Sequence, residues 1–218
     1  MYIKPISDSS SYYDITISAD GNIAFPEDST SLLSFGRPHS GGGYFGALRK
    51  IEFNNSIDTS NVKNMSKMFW YNNELKTLDL SSFDTSNVTN MSWMFGNITS
   101  FSGKRLREIK GLNKFDTSKV TDMSAMFFDS AATSLDLSSF DTSKVTSTTE
   151  MFTYSTNLKT IYASDKFNIN GSADADAIFS NCTSLVGGAG TVYDSTKIDK
   201  TYARIDGGSS NPGYFTKK

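Results

Sequence analysis

DTSNVKNMSKMF, residues 58–69, returns as DTSNVTNMSWMF at 84–95 and as DTSKVTDMSAMF at 116–127. A fourth copy, 141–152, keeps Asp141, Val145, Met151 and Phe152 but carries Thr148 in place of the middle methionine. A worn fifth copy runs from Phe167 to Phe179 as FNINGSADADAIF. The copies start at residues 58, 84, 116, 141 and 168, a spacing typical of chains built from stacked repeat units. The longest interval, from 84 to 116, carries an insertion near Asn97 to Lys104.

A second element precedes each copy. LKTLDLSSF at 75–83 has its counterpart in SLDLSSF at 134–140, with looser versions at 106–112 and 158–162. Leu78 and Leu80, like Leu135 and Leu137, stand two apart, which places both on one face of a strand. The interposed Asp79 and Asp136 then face water. Inside each DTS block the period changes. Val62, Met65, Met68 and Phe69 follow i, i+3, i+6, i+7, as do Val88, Met91, Met94 and Phe95. The later copies place Val120, Met123 and Phe127, then Val145 and Phe152, at matching positions. That spacing predicts a short helix with one apolar stripe. Ser60, Ser86 or Ser118 would cap its first amides, and the preceding Asp and Thr would hold its opening turn. About nine residues are too few for a helix to stand alone, so each must lie against its neighbours.

One repeat therefore reads as a short strand, a Ser-Ser-Phe-Asp turn and a short helix. The fold class expected is an α/β solenoid, a leucine-rich-repeat-like stack of short strands and short helices with non-repeat caps at both ends. Its expected parts are a β-rich N-terminal cap over 1–47, about five repeats over 48–185 and a C-terminal cap over 186–218, all one cooperative domain. The methionines supply adaptable packing between repeats. Asp58, Asp84, Asp116 and Asp141 make a ladder of carboxylates, which is calcium chemistry in some proteins. Each also stands where a turn or a cap wants an acceptor. That structural role is the expectation, and no metal site is assigned.

The ends are different. Tyr13, Ile15 and Ile17 alternate with polar neighbours, and Asp20-Gly21 precedes Ile23 to Phe25, which predicts a hairpin over the first repeat. Gly41-Gly42-Gly43 lacks the lysine and helix of a phosphate-binding loop. The glycine-rich tail, 187–215, holds two expected edge strands, Thr191 to Tyr193 and Thr201 to Ile205.

Composition narrows the function. The 218 residues carry 21 basic and 23 acidic side chains, a formal charge of −2, which argues against a partner selected by net charge, nucleic acid above all. No run approaches the roughly 18 consecutive apolar residues of a membrane-spanning helix. A single cysteine, Cys182, and a single histidine, His39, exclude an internal disulfide framework and multi-ligand thiolate or imidazole sites. Cys182 is read as filling an apolar niche and His39 as a loop residue. No catalytic residue and no cofactor is assigned, and the chain is expected not to be an enzyme.

The recurring FDTSxVTxMSxMF block, together with LxxLDLSSF, Asn181-Cys182-Thr183-Ser184-Leu185 and the tail strings LVGGAGT and YARIDGG, resembles the BspA-like leucine-rich repeat surface proteins over roughly residues 48–215. Members of that family are mostly regarded as exported adhesins or matrix-protein binders of host-associated bacteria. The resemblance implies an extracellular or cell-surface location and a binding role without catalysis. No signal peptide, lipid-attachment cysteine or wall-sorting motif is visible, so the alternative is a structural or phage-particle-associated assembly protein.

The expected function is thus a surface-exposed binding or adhesion module that recognises a host or cell-surface protein or glycan, its oligomeric state open. Trp93, Phe101, Lys104, Arg105, Arg107 and Lys110, in and around the insertion, with the outward Asp79 and Asp136, form the expected contact surface. Trp70, Tyr71, Phe128 and Tyr154 also sit in or beside the repeat blocks, where core packing is the plainer reading.

Overall fold

The computed structural model describes residues 2–5, 12–18, 21–35, 37–38, 44–45, 47–53, 57–97, 106–169 and 174–218. His39, Gly41 to Gly43, Phe101, Lys104 and Arg105 lie outside them. Twelve short strands run along the described chain: β1 Tyr2–Pro5, β2 Tyr12–Ile17, β3 Ile23–Ala24, β4 Arg37–Pro38, β5 Tyr44–Phe45, β6 Ala47–Phe53, β7 Ile57–Asp58, β8 Thr77–Asp79, β9 Glu108–Lys110, β10 Ser134–Leu137, β11 Thr160–Ala163 and β12 Phe215–Lys217.

The α/β solenoid of strands and helices does not form. Among the described residues there is no α-helix, only 3-10 turns at Leu112–Lys114, Lys200–Tyr202 and Gly208–Ser210, and the strands make small separate sheets. Two features of the DTS blocks forbid a helix. First, Lys67, Trp93, Ala125 and Glu150 all sit at φ between 51° and 58°, a left-handed conformation that costs L-residues about 1 kcal/mol or more. Second, Asn64, Asn90 and Asp122 each accept the backbone N–H two residues on, from Ser66, Ser92 and Ser124, the local turn that competes with helix. The amide of Met68 bonds back to Met65 O at 3.2 Å, closing a four-residue turn with left-handed Lys67 in third place, as a type II turn requires.

Alternate amides of these turns reach the next repeat. Met65, Lys67 and Phe69 donate to Asn90, Ser92 and Met94 carbonyls at 2.9–3.0 Å, and Met91, Trp93 and Phe95 donate in turn to Asp122, Ser124 and Met126. Parallel bridges join Asp28, Asn64, Asn90, Asp122, Ser147 and Asp174 in one series. Each repeat is thus a rung of a parallel ladder. The i, i+3, i+6, i+7 stripe does face inward, with Val62, Met65, Met68 and Phe69 all buried, but successive turns aim it there. Phe69, Phe95, Phe127, Phe152 and Phe179 stack through the interior with centroids 5.6–5.9 Å apart and planes within 19° of parallel. Stacked pairs of this kind contribute about 0.5–1.5 kcal/mol each beyond the area they bury.

The DTS string has a division of labour. The Asp carboxylate accepts the Ser N–H two residues on, as in Asp58 with Ser60 and Asp116 with Ser118. The buried Thr clamps the next rung: Thr59 Oγ1 donates to Asp84 O and accepts from Asp84 N, both at 2.8 Å. Thr85 with Asp116 and Thr117 with Asp141 repeat the clamp.

The strands form the other side of each rung. Leu78 and Leu80, Leu135 and Leu137 are buried as their period requires, with Asp79 exposed between the first pair. Pairing is parallel, β8 with β9 and β10 with β11 with β12. The ladder begins one rung before the identical strings do. β2 pairs parallel with β6, β3 with β7, and Ser29, Ser31 and Leu33 donate to Asn64, Ser66 and Met68 carbonyls. The expected hairpin is therefore replaced: β2 pairs with β1 and β6, not with β3.

At the far end Phe179 N–H donates to Ile198 O, and Tyr214 and Phe215 pack edge-on against the Phe179 ring at 5.1 and 6.0 Å. The expected tail strands at 191–193 and 201–205 are not strands; only Val192 and Ile205 make isolated bridges, and the regular strand is β12. The tail's many short turns are fixed by side chains, Asp194 with Thr196, Asp199 with Thr201, which leaves few amides for a ladder.

Candidate functional site

On the turn side of the ladder three rings follow one another on successive rungs. The Trp93 and Phe128 centroids are 5.1 Å apart at 36°, and Phe128 and Tyr154 are 5.5 Å apart at 66°. Trp93 and Phe128 are half-buried, and Tyr154 is 48% exposed. The backbone sets this arrangement. Trp93 and Tyr154 hold φ of 58° and 62°, so their side chains leave the rung in directions a helix or strand would not give. Gly96 makes room beneath: a Cβ there would stand 2.9 Å from Trp93 Cε3 and 3.0 Å from Ala125 O. The indole consequently lies against the backbone of its own rung. Around Tyr154 stand Glu150 on the same rung, whose carbonyl takes the Thr153 amide, and Ser180 on the next, whose carbonyl takes the Tyr154 amide at 2.8 Å. One rung before Trp93, Trp70 meets Tyr71 edge-on at 4.3 Å and carries Lys67 Nζ 5.5 Å above its ring. Trp70 Nε1 is buried without a hydrogen-bond partner.

The charged candidates lie on the strand side instead. Asp79 and Lys110 are register partners of β8 and β9, and both line a cleft of about 500 Å³ between β6 and β8, with Arg49, Lys50, Ser81 and Ser82 among its other walls. Asp79 is held below the usual carboxylate range chiefly by hydrogen bonds from Ser81, with Lys110 adding to the effect. Arg49 is engaged with Asp14 at 3.0 Å and Lys50 with Glu52 at 2.6 Å. Arg107 is exposed just before β9, its amide on Lys76 O. Asp136 belongs to β10 and pairs with Lys218, whose ammonium also lies 5.3 Å from the Tyr162 ring. Burial pushes the Asp136 carboxyl up, but the hydrogen bonds from Lys218 and Ser138 outweigh it and hold the group low.

The expected contact surface is therefore divided. The structure brings Asp79 to Lys110, leaves Asp136 on the terminal lysine, and puts Trp93 on the turn side with Phe128 and Tyr154. Neither of those two rings belonged to the surface expected from sequence. No repeat position marks them, because Trp93 is the fourth residue from Asn90, Phe128 the seventh from Asp122 and Tyr154 the eighth from Ser147, counted from residues that pair in register.

The carboxylate ladder serves its own turns. Hydrogen bonds from Ser60, Ser118 and Ser143 hold Asp58, Asp116 and Asp141 below the usual range. Among the described residues no group of three or more His, Cys, Asp or Glu is placed to hold a metal ion, and no helix is long and apolar enough to cross a membrane. Cys182 is fully buried, its thiol donating to Phe152 O at 3.0 Å.

A family model described as "Mycoplasma protein of unknown function, DUF285" matches residues 45–108 and 105–191, together more than half of the chain. No curated protein and no solved structure matches it.

Proposed function

The chain belongs to that DUF285 family of Mycoplasma proteins of unknown function, and from this premise we propose that it is a surface-exposed, non-catalytic binding module for a host or cell-surface protein or glycan. The observation that carries the reading is the Trp93–Phe128–Tyr154 row. Large aromatic rings left partly open on a rigid scaffold are the residue type that dominates recognition surfaces. Here the scaffold is rigid for a stated reason, since every ring-bearing turn is tied to the next by backbone bonds. The resemblance of the FDTSxVTxMSxMF block to BspA-like surface proteins supports the same reading, including the cell-surface location.

The experiment is a screen of the purified protein against immobilised extracellular-matrix proteins and a glycan array, with light scattering on the same sample. The reading expects a saturable hit that Tyr154→Ala weakens at least about tenfold. Failure of every ligand to bind, or a hit indifferent to the row, contradicts it.

A further inference from the structure

We propose that the cleft between β6 and β8 docks an extended segment of a partner protein, added as a strand to the free edge of β8; this goes beyond the binding reading above and does not use the aromatic row.

The two rungs concerned are joined on one side only. On the turn side Met65, Lys67 and Phe69 donate across to Asn90, Ser92 and Met94 at 2.9–3.0 Å, and Thr59 clamps Asp84. On the strand side β6 ends one sheet and β8 begins another, and no backbone hydrogen bond among the described residues joins them. Between them lies the cleft of about 500 Å³, a size usual for ligand-binding clefts.

The pairing of β8 with β9 fixes which of its groups face that cleft. Glu108 N–H donates to Lys76 O and Leu80 N–H to Lys110 O, with Leu78 opposite Ile109 in the register. Successive residues of a strand turn their backbone groups to alternate sides of it. Thr77 and Asp79 therefore turn N–H and C=O away from β9 and toward β6. Both residues are exposed and line the cleft, and among the described residues no hydrogen bond takes up these backbone groups. A row that alternates donor and acceptor along a strand is the complement of another backbone.

The side chains fit the same occupant. Ile51 and Leu78, both buried, and Phe53, partly buried, give the cleft apolar walls, and Thr77, Ser81 and Ser82 add hydroxyls. Its ionic groups stand beside groups of opposite sign, Arg49 with Asp14, Lys50 with Glu52 and Asp79 beside Lys110, so no unbalanced charge selects a phosphate or a polyanion. A docked strand sets alternate side chains on opposite faces, apolar ones against Ile51 and Leu78 and polar ones toward water.

The test pans the immobilised full chain against a phage-displayed library of linear dodecapeptides, then titrates the enriched peptides, made synthetically, into the protein in solution. The proposal expects a peptide that binds saturably and slows hydrogen exchange at the Thr77 and Asp79 amides, while the Leu80 amide, already bonded to Lys110 O, is protected with or without it. Thr77→Pro, at the first residue of β8, removes a donor that faces the cleft and spares the bonds to β9, a place where a strand tolerates proline. It should weaken the peptide at least about tenfold, the worth of roughly one hydrogen bond, whereas Thr77→Val keeps the amide and should bind as the parent does. A matching urea transition verifies the fold of both variants, and the exchange measurement on the parent decides the matter if Thr77→Pro does not fold. The proposal is overturned if no peptide is enriched, or if bound peptides leave the Thr77 and Asp79 amides exchanging freely. A dimer of the chain that protects these amides without peptide overturns it as well, since the occupant is then a second copy. Tyr154→Ala should leave peptide affinity unchanged, which separates failure here from failure of the aromatic-row reading; peptide binding lost in that variant places the peptide on the row and removes it from the cleft.

Discussion

The two sides of each rung are held together unequally. On the turn side the bridges run unbroken from Asp28 to Asp174, reinforced by the Thr clamps and the five-ring phenylalanine stack. On the strand side the sheet is interrupted, β1-β2-β6, then β8-β9, then β10-β11-β12, and the cleft between β6 and β8 lies at one interruption. The difference follows the sequence strings: the turn blocks repeat almost letter for letter, while the strand segments vary from TLD to EIK to SLDL. The turn-side bridges nonetheless extend past the identical strings, to Asp28 at one end and Asp174 at the other, so what carries the ladder through is the turn geometry rather than the letters.

The sharpest way to break this asymmetry is to remove a central ring. Phe127→Ala, which empties the middle of the stack, should cost about 3–5 kcal/mol in urea unfolding, whereas Ile109→Ala at the interrupted strand side should cost no more than about 1–2 kcal/mol, since Ile109 is only partly buried. Equal losses would mean that the two sides contribute alike.

Acid acts on the tail that closes the ladder. Asp206 accepts the amides of Ala189, Thr191 and Gly208 and the Thr191 hydroxyl. Burial by itself raises its pKa, but these bonds win and lower it from 3.8 to about 2. Because the folded pKa is the lower one, its contribution of about 2 kcal/mol is fully present above the unfolded value and disappears as pH falls from near 4 through 2. Asp206→Asn should be less stable than the parent at pH 7, and the gap between them should narrow over that interval.

The clamp offers a sharper comparison at similar size. Thr117→Val strands the Asp141 amide in a buried place and should cost about 2 kcal/mol. Thr160→Val on β11, half-buried and without a side-chain bond, should stay within about 0.5 kcal/mol. Smallest is a gain: Thr148 occupies a methionine position with a buried hydroxyl that has no partner, so Thr148→Val should raise stability by about 1 kcal/mol, visible as a higher urea midpoint.

Much of this was legible beforehand. The repeat, the inward stripe of Val, Met and Phe, the alternation of Leu78 with Asp79, and the turn role of the DTS aspartates all follow from spacing and side-chain chemistry. The helix did not follow, because a run of tight turns can bury the same i, i+3, i+6, i+7 positions as a helix does. The available signal was a second Asn/Asp-x-Ser string inside each block, at Asn64, Asn90 and Asp122, which announces another local turn. The first rung at 12–33 was hidden because it shares the geometry but not the letters, with Ser29 and Leu33 standing where Met65 and Phe69 stand next. That Trp93, Phe128 and Tyr154 pack ring to ring was not legible, because it depends on left-handed residues that no spacing rule reveals.

A ladder and a helix differ in where the turn-side amides point. Long-range carbonyl couplings across hydrogen bonds, recorded by NMR on labelled protein, decide this directly. A coupling from the Phe95 amide to the Met126 carbonyl, 3.0 Å away across the rungs, is the predicted result; a coupling to the Met91 carbonyl, the helical partner, would contradict it.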